Sequence, residues 1–476
     1  MPPLSRPAAR RAVVLGASLA GLLAARVLGE SFDEVVLLER DALPARAAPR
    51  KGTPHAVHPH GLLARGRLVL EDLFPGFTDA MTGRGAVLGD LLRDAGFDVD
   101  RRRFATGFAG LPALGASRLA IEAEVRRRVL ARPGVQCIDE VDVLAPRLEN
   151  GRAVAARYRD RRVDAADAAA ERELRADLVV DCTGRGSRLP QWLRDWGYAA
   201  PAEERVEIGI CYTSAYFERT GACAIGPGLD KVAAFGAVTN AQPRPGVVIA
   251  QEPAEGGVPR WVVGVGGFAG DHAPATLAGL RERALDIAGP ELVKITHEGT
   301  LIGDVMRYTV PTSLRRRYER LARFPAGLLA MGDALTAFNP IYGQGMTVAA
   351  CEALALRDAL ARGDAALARR FFRAAARVID IPWQLAVGGD LSIDKVPGKR
   401  PLAVRIVNAY VARIYRAAPE DAVVSAAFQR VVHMLDGPQA LFAPGVAWRV
   451  LFKRRAQAGA TAMPAPALRT SRRPLA

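Results

Sequence analysis

Residues 11–39, RAVVLGASLAGLLAARVLGESFDEVVLLE, form the stretch that decides the fold. One apolar run ends at Gly16 and a second ends at Glu39, so both runs are predicted to be buried strands. The segment 20–28 between them is rich in helix formers. The order strand, glycine turn, helix, strand predicts an α/β unit with parallel strands.

The turn after the first strand has the spacing G-x-G-x-x-G, with serine in place of the second glycine. Such a turn places a helix N-terminus next to a pyrophosphate, and Glu39, 23 positions after Gly16, is near the spacing of a ribose-binding carboxylate. On these residues alone, an αβ hairpin without a ligand remains an alternative. The predicted dinucleotide contacts are Gly16, Ser18, Ala20, Gly21, Glu39 and Arg40.

The N-terminus has the pattern of a secretory signal peptide. It has basic residues at Arg6, Arg10 and Arg11, and the apolar run 12–25 follows them. A carboxylate at the position of Glu39 is not a feature of a signal peptide, whereas a dinucleotide site requires one. The dinucleotide interpretation is therefore preferred.

The composition indicates a globular chain without a membrane-spanning segment. No apolar run approaches the ~20 residues that a spanning helix needs. The net charge of +15 is scattered over 65 basic residues, of which only six are Lys, so we expect no nucleic-acid partner. Five cysteines without a C-x-x-C pair argue against disulfides or zinc and favour the cytoplasm.

Two later segments carry further glycine motifs. Residues 177–188 are DLVVDCTGRGSR, and residues 332–346 are GDALTAFNPIYGQGM, which follow the apolar strand 328–331. A surface loop that leads into an ordinary helix is an alternative interpretation of the second segment. Both segments, in this order, resemble motifs of the FAD-dependent aromatic hydroxylase and epoxidase superfamily, the para-hydroxybenzoate hydroxylase-like fold.

The resemblance implies that FAD is the cofactor. It implies that Asp181 and Gly184 help to hold FAD and that Asp333 binds the ribityl chain. The helix after the last motif would direct its positive end at the isoalloxazine. The remaining contacts that the resemblance implies are Arg118, the backbone at Val143, Pro340, Gly343, Gly345 and Met346.

A closer resemblance covers nearly the whole chain. Residues 50–76, 192–216 and 382–386 look like bacterial flavin epoxidases and monooxygenases of polyether biosynthesis, and squalene epoxidase is more distantly similar. One departure is His55, where those relatives usually have glutamine. His55, His58 and His60 lack a helical spacing and acidic or cysteine neighbours, so we predict no metal site and expect His58 and His60 to shape a loop over the flavin.

The predicted fold class is α/β. A Rossmann-like FAD-binding domain (three-layer ββα) is interleaved with a mixed, mainly antiparallel β-sheet substrate domain and is followed by a helical C-terminal region. The predicted boundaries are 8–205 and 311–368 for the FAD-binding domain, about 75–115 for an inserted substrate-domain segment, 206–310 for the substrate sheet, 369–455 for the helical region and 456–476 for a disordered tail.

In the resembled family, the second sheet roofs the substrate pocket. The aromatic candidates for its walls are Tyr212, Tyr216, Phe235, Trp261 and Phe268, although an aromatic residue on a strand is more often part of the core.

The segment 401–416 is amphipathic. It either packs on the catalytic body or, with the basic cluster 453–455, contacts a membrane surface. The expected location is the cytoplasm, with peripheral membrane contact as the alternative.

The function that the resemblance implies is an FAD-dependent monooxygenase. Such an enzyme inserts one oxygen atom of O2 into an apolar, electron-rich substrate through a C4a-hydroperoxyflavin, by epoxidation or hydroxylation. NAD(P)H or a partner flavin reductase would supply electrons, because no second G-x-G-x-x-G is present. No side chain stands out as an acid, base or nucleophile.

Three alternatives to a monooxygenase remain. They are a prenyl or alkene reductase of the same fold, a non-catalytic flavin-binding protein, and a flavin halogenase. The halogenase is disfavoured because the chain lacks a G-W-x-W-x-I-P motif.

Overall fold

A computed structural model describes residues 9–163, 170–223, 232–254, 256–287 and 289–452. The predicted tail 456–476 and the basic cluster 453–455 lie outside these residues. The strands are β1 (Arg11–Leu15), β2 (Glu34–Leu38), β3 (Val87–Asp90), β4 (Ala95–Val99), β5 (Arg102–Arg103), β6 (Pro112–Gly115), β7 (Val135–Ile138), β8 (Val141–Glu149), β9 (Arg152–Asp160), β10 (Glu171–Arg175), β11 (Leu178–Asp181), β12 (Glu203–Glu218), β13 (Ala233–Gly236), β14 (Gly246–Gln251), β15 (Arg260–Gly267), β16 (Leu301–Arg316), β17 (Leu328–Ala330) and β18 (Thr336–Ala337).

The α-helices of the described residues alternate with these strands before they take over the C-terminal part. They are α1 (Leu19–Leu28), α2 (Ala64–Leu73), α3 (Phe77–Thr82), α4 (Leu91–Asp94), α5 (Arg118–Leu130), α6 (Leu189–Asp195), α7 (Leu277–Asp286), α8 (Pro290–Glu298), α9 (Gly345–Leu360), α10 (Leu367–Asp390), α11 (Leu402–Ala417), α12 (Ala422–Val432) and α13 (Pro444–Leu451).

Five parallel strands form the first sheet, in the order β17-β11-β1-β2-β7. The apolar runs predicted to be buried strands are β1 and β2, and their central residues have no exposed surface. α1 packs against α5 and α9, and the small antiparallel sheet β10-β9-β8 contacts β11 and β2. This arrangement confirms the predicted Rossmann-like α/β fold.

A second sheet of eight strands has the order β18-β16-β12-β15-β14-β13-β4-β5. Its neighbouring strands are antiparallel except for β13 and β4. Because β4 and β5 come from residues 95–103, an early part of the chain completes a sheet that is otherwise built from residues 203–337. The mixed, mainly antiparallel sheet of the sequence prediction is therefore present.

The last four α-helices of the described chain form the predicted helical region. α10 packs against α9, and α11, α12 and α13 share a buried cluster that includes Ile414, Val424 and Val446. That cluster also contains Val99 and Phe104, so the helical region packs on the end of the eight-stranded sheet. None of the described helices is long and apolar enough to cross a bilayer.

A buried carboxyl group ties α9 to the end of β17. Glu352 has no exposed surface, and its Oε2 accepts a hydrogen bond of 2.6 Å from the backbone N–H of Gly332. Burial raises the pKa of Glu352 to about 8, because the backbone hydrogen bond only partly offsets desolvation. The folded protein therefore holds a proton on Glu352 near neutral pH.

Because α1 lies so close to β1, we expect a single methyl group added at Gly21 to lower the stability of the fold. A Cβ on Gly21 would lie 1.9 Å from the carbonyl oxygen of Gly16, whereas a Cβ on Gly29 would lie 3.5 Å from its nearest neighbour. We expect Gly21→Ala to lower the free energy of unfolding by about 3 kcal/mol or more. Gly29→Ala is the matched control and should change it by less than about 1 kcal/mol. Urea unfolding followed by circular dichroism measures both, and equal stability of the two variants would contradict this close packing of α1 on β1.

The buried proton on Glu352 predicts a pH-dependent stability. The unfolded chain releases this proton near the ordinary Glu pKa, whereas the folded chain keeps it up to about pH 8, so stability falls as pH rises through this window. Glu352→Gln keeps a hydrogen-bond acceptor and cannot ionise. We expect its unfolding free energy, relative to wild type, to rise between pH 5 and 8 by up to about 1.4 kcal/mol per pH unit. The control is Glu282→Gln on the exposed side of α7. A pH-independent difference for Glu352→Gln would show that this carboxyl is ionised in the fold.

Candidate functional site

The three glycine motifs meet at the carboxyl ends of β1, β11 and β17. Gly16 and Gly332 both have positive φ angles, of +95° and +68°. A Cβ on Gly332 would lie 2.5 Å from the Cβ of Ala20, and a Cβ on Gly184 would lie 4.0 Å from that of Asp333. The first, second and third motifs are therefore in contact, although they come from distant parts of the chain.

Two helix N-termini at this site carry no side-chain cap. Ser18 precedes α1 and Gln344 precedes α9, and neither side chain accepts a hydrogen bond from the helix it precedes. A Cβ on Gly345 would find no atom within 4 Å, so open space lies at the start of α9. Free N–H groups and the positive ends of two helix dipoles suit an anionic ligand.

A buried network of charges lies beside the start of α1. The guanidinium Nη2 of Arg118 donates to Glu122 Oε2 at 2.8 Å and to Ser18 Oγ at 2.9 Å. Arg50 donates to the other Glu122 oxygen and lies 3.3 Å from Glu39 Oε1. The network links the predicted contacts Ser18, Glu39 and Arg118 through two residues that the sequence prediction missed.

The network keeps Glu122 ionised despite burial. Desolvation alone would raise the pKa of Glu122, but Arg118 and Arg50 outweigh it and hold the pKa at about 2. Glu39 Oε2 accepts a hydrogen bond of 2.7 Å from the backbone N–H of Ala17, inside the glycine turn. Glu39 therefore orders the turn from the end of β2.

Asp333 follows β17 and its carboxylate has no hydrogen-bond partner among the described residues. Burial raises its pKa, and the nearby guanidinium groups of Arg185, Arg118 and Arg316 act in the opposite direction. A desolvated carboxylate without a donor is costly unless a ligand supplies one. The two open helix N-termini and the three arginines offer hydrogen-bond donors, and the Asp333 carboxylate offers an acceptor. Together they fit a dinucleotide that carries a pyrophosphate and hydroxyl groups.

Asp181, at the end of β11, has a different environment. Its carboxylate accepts hydrogen bonds from the Thr183 N–H at 2.9 Å, from Thr183 Oγ1 at 2.6 Å and from Ser187 Oγ. These bonds hold the turn that carries Gly184, whose φ is +79°. Asp181 therefore acts on this turn rather than facing open space.

The other predicted cofactor residues occupy two places. Arg40 is exposed beyond β2 and lies 3.5 Å from Asp142, the residue before Val143 on β8. Pro340 begins a tight turn in which the Asn339 side chain accepts from the Ile341 N–H. The turn ends at Gly343, where a Cβ would lie 3.5 Å from the Gly61 carbonyl oxygen, and Met346 is buried at the start of α9.

A histidine-rich loop, residues 54–60, lies between this turn and the eight-stranded sheet. His58 Nδ1 is 3.0 Å from Ser214 Oγ, and the ring nitrogen Nδ1 of His60 is 2.9 Å from the His58 carbonyl oxygen. Burial lowers the pKa of His55 to about 4, with a further contribution from Arg118, and burial lowers the pKa of His58 to about 4. Burial lowers the pKa of His60 to about 3. These imidazoles are neutral at physiological pH. No group of three metal-ligating side chains is present in the described chain.

Only some of the five aromatic residues predicted to line the substrate pocket lie next to this loop. The Tyr212 ring is 5.0 Å from that of His58, and Tyr216 Oη donates to the Val57 carbonyl oxygen. Phe235 packs in the same cluster as Tyr216. Trp261 instead packs with the residues under α7 and α8 and donates to the Cys223 carbonyl oxygen.

Phe268 packs with Ile208 and Ile210 in a cluster that Ile341 also contacts. The structure thus brings Tyr212 and Tyr216 to the loop, with Phe235 beside Tyr216, and leaves Trp261 on the opposite face.

Three residues near the site had not been predicted. Glu122, four positions after Arg118 on α5, could have been found from the helical i,i+4 spacing of opposite charges. Arg50 and Tyr308 had no comparable signal. The Tyr308 ring lies within 6.0 Å of His55, His58 and Tyr212 only because β16 pairs with β12.

Known proteins resemble this chain in sequence and in fold. No family model matches the sequence. Protein Rv3254 of Mycobacterium tuberculosis is 34% identical over 437 residues, which cover 89% of this chain and 90% of that protein. Squalene epoxidase 1 of Arabidopsis thaliana is 25% identical over 358 residues, which cover 73% of this chain and 59% of the plant protein.

Two solved structures share the fold. PqsL of Pseudomonas aeruginosa, described as a probable FAD-dependent monooxygenase, has a TM-score of 0.57 at 19% identity and covers 81% of this chain and 97% of its own. The flavin-dependent brominase Bmp2 has a TM-score of 0.57 at 16% identity, with coverages of 87% and 92%. The chain therefore belongs to the same family as protein Rv3254 of Mycobacterium tuberculosis, and it shares its fold with flavin-dependent enzymes.

Proposed function

We propose that this protein binds FAD and inserts one oxygen atom of O2 into an apolar, electron-rich small molecule, by epoxidation or hydroxylation. The observation that carries the proposal is the meeting of two uncapped helix N-termini with the unpartnered carboxylate of Asp333. The similarity to squalene epoxidase 1 supports epoxidation of an alkene. NAD(P)H or a partner flavin reductase is the proposed electron source.

The residues that would hold FAD divide by the chemistry of its parts. The N–H groups of α1 and the guanidinium of Arg118 would bind the pyrophosphate. Glu39 would bind the adenosine ribose, and Asp333 would accept from a ribityl hydroxyl. The start of α9, with Gly343 and Gly345, would face the isoalloxazine. Asp181 and Gly184 would hold this arrangement through their turn.

When bound and reduced, FAD supplies the activation of O2. The chain contributes a dry and preorganised surrounding for that chemistry. The free N–H groups of α9 stabilise negative charge without reorganisation. His58 is buried against the sheet and His60 is half-buried beside it, both in neutral form, so the loop would shield the site from water without adding a competing positive charge.

The wall next to the histidines is built by Tyr212, Tyr216 and Tyr308. We propose that the substrate lies along this wall, with Phe235 near one end. Tyr212 Oη has no hydrogen-bond partner among the described residues, so it is free to contact a ligand. No side chain is assigned as acid or base, since delivery of an oxygen atom to an alkene does not require one.

Asp333 tests the cofactor part of the proposal. We expect Asp333→Ala to weaken FAD binding about 10- to 100-fold, because a charge-assisted hydrogen bond contributes about 1.5 to 3 kcal/mol. Titration of the FAD-free protein with FAD, followed by flavin fluorescence, measures the dissociation constant. Asp358→Ala, on the exposed side of α9, is the control and should bind FAD as the wild type does. Equal affinities of the two variants would refute the role of Asp333.

Isotope labelling tests the reaction. The balanced reaction consumes substrate, O2, NAD(P)H and a proton, and it yields oxygenated substrate, water and NAD(P)+. With 18O2 and a panel of squalene, farnesol and 1-naphthol, we expect mass spectrometry to find one 18O atom in the product. Addition of two hydrogens to an alkene without oxygen would identify a reductase instead. NAD(P)H oxidation that yields only hydrogen peroxide with every member of the panel would count against oxygen transfer, and bromination in added bromide would identify a halogenase.

A further inference from the structure

The outer face of α11 carries apolar side chains that are largely exposed. Leu402 is 69% exposed and Ile406 is 60% exposed, and they lie four positions apart on one side of the helix. Another side of the helix packs into the protein through Val411, Ile414 and Tyr415. The face of α11 that is exposed to solvent is therefore partly apolar.

α13 and the turn before it add exposed aromatic rings. Trp448 is 64% exposed and Phe452 is 62% exposed, with their ring centres 4.9 Å apart. Phe442 is also exposed, and its ring stacks on Tyr410 of α11 at 4.7 Å. α11 and α13 pack on each other around Ile414, Val446 and Val450, so the two exposed sets belong to neighbouring helices.

The two helices themselves carry only basic charged side chains, while Glu420 and Asp421 follow shortly after α11. α11 carries Arg405, Arg413 and Arg416 and contains no Asp or Glu. α13 contains no Asp or Glu, and its only basic residue, Arg449, pairs with Asp421 at 2.9 Å. The sequence continues after Phe452 with Lys453, Arg454 and Arg455.

We propose that the α11–α13 surface, defined by Leu402, Ile406, Phe442, Trp448, Leu451 and Phe452, docks onto the surface of an anionic lipid bilayer. Exposed Trp, Phe and Leu next to arginines, on helices that contain no acidic residue, are the composition of a helix that lies in the membrane interface. Arginines near an anionic leaflet strengthen such binding. The surface is distinct from the proposed FAD site, and the inference stands independently of the reaction.

Other occupants fit the surface less well. A second copy of this chain would bring α11 arginines of one molecule near those of the other, with no carboxylate on either helix to neutralise them. A nucleic acid would satisfy the arginines but would leave Leu402, Ile406 and Trp448 without apolar contacts. Only a lipid interface satisfies both halves of the surface.

Vesicle sedimentation of the FAD-loaded, full-length protein tests the proposal. We expect binding to vesicles of 30% phosphatidylglycerol in phosphatidylcholine at 50 mM NaCl and much weaker binding to pure phosphatidylcholine. The double variant Trp448→Ser/Phe452→Ser should lower the partition coefficient about tenfold or more, because two apolar rings no longer enter the lipid. Arg413→Glu should lower it several-fold, and this loss should disappear at 500 mM NaCl because salt screens the attraction.

The matched control is Leu88→Ser, which removes an exposed apolar side chain on β3. It should bind vesicles as the wild type does. Absence of vesicle binding by the wild type, or an equal loss for Leu88→Ser and the double variant, would overturn the proposal. So would light scattering that shows a dimer dissociated by Trp448→Ser/Phe452→Ser. Flavin absorbance of each variant checks that the fold and cofactor site remain intact.

Discussion

The contact between the turn at Gly16 and the first turn of α1 is the constraint on which the rest of the structure depends. With 1.9 Å between a hypothetical Gly21 Cβ and the Gly16 carbonyl oxygen, only glycine lets the helix start so close to the strand. This closeness places the α1 N-terminus at the carboxyl edge of the parallel sheet. Gly332 lies against Ala20 for the same reason, so the motif after β17 reaches the same edge.

Buried charge gives this edge its chemical character. Arg50, Arg118, Glu39 and Glu122 form a network that balances two positive groups against two negative groups. A balanced network tolerates burial because each charge has a partner, whereas a single unpaired charge would not. Asp333 is the exception, since no donor of the described chain reaches its carboxylate. Asp333 thus differs from the four paired groups, and a hydroxyl group of FAD is the donor that we propose for it.

The histidine loop joins the two sheets into one site. Gly264 permits the contact, because a Cβ there would lie 2.8 Å from the Pro59 ring. Tyr216 and Ser214 of β12 bind the loop through Val57 and His58. Burial keeps the imidazoles neutral, so the side of the site that faces the sheet carries no positive charge from the histidine loop.

The sequence by itself determined the α/β class, the parallel strands and the three glycine motifs, because strand burial and tight turns impose local patterns that single segments display. It also predicted Asp333 and the start of α9 as cofactor contacts, since both lie within one short motif. Only the tertiary structure decided the face on which each aromatic residue lies: Tyr212 and Tyr216 meet the loop, while Trp261 turns away, because β-strand side chains alternate and the register depends on strands far apart in the chain. The pairing of Arg50 with Glu122, 72 positions apart, likewise exists only once the sheet has brought them together.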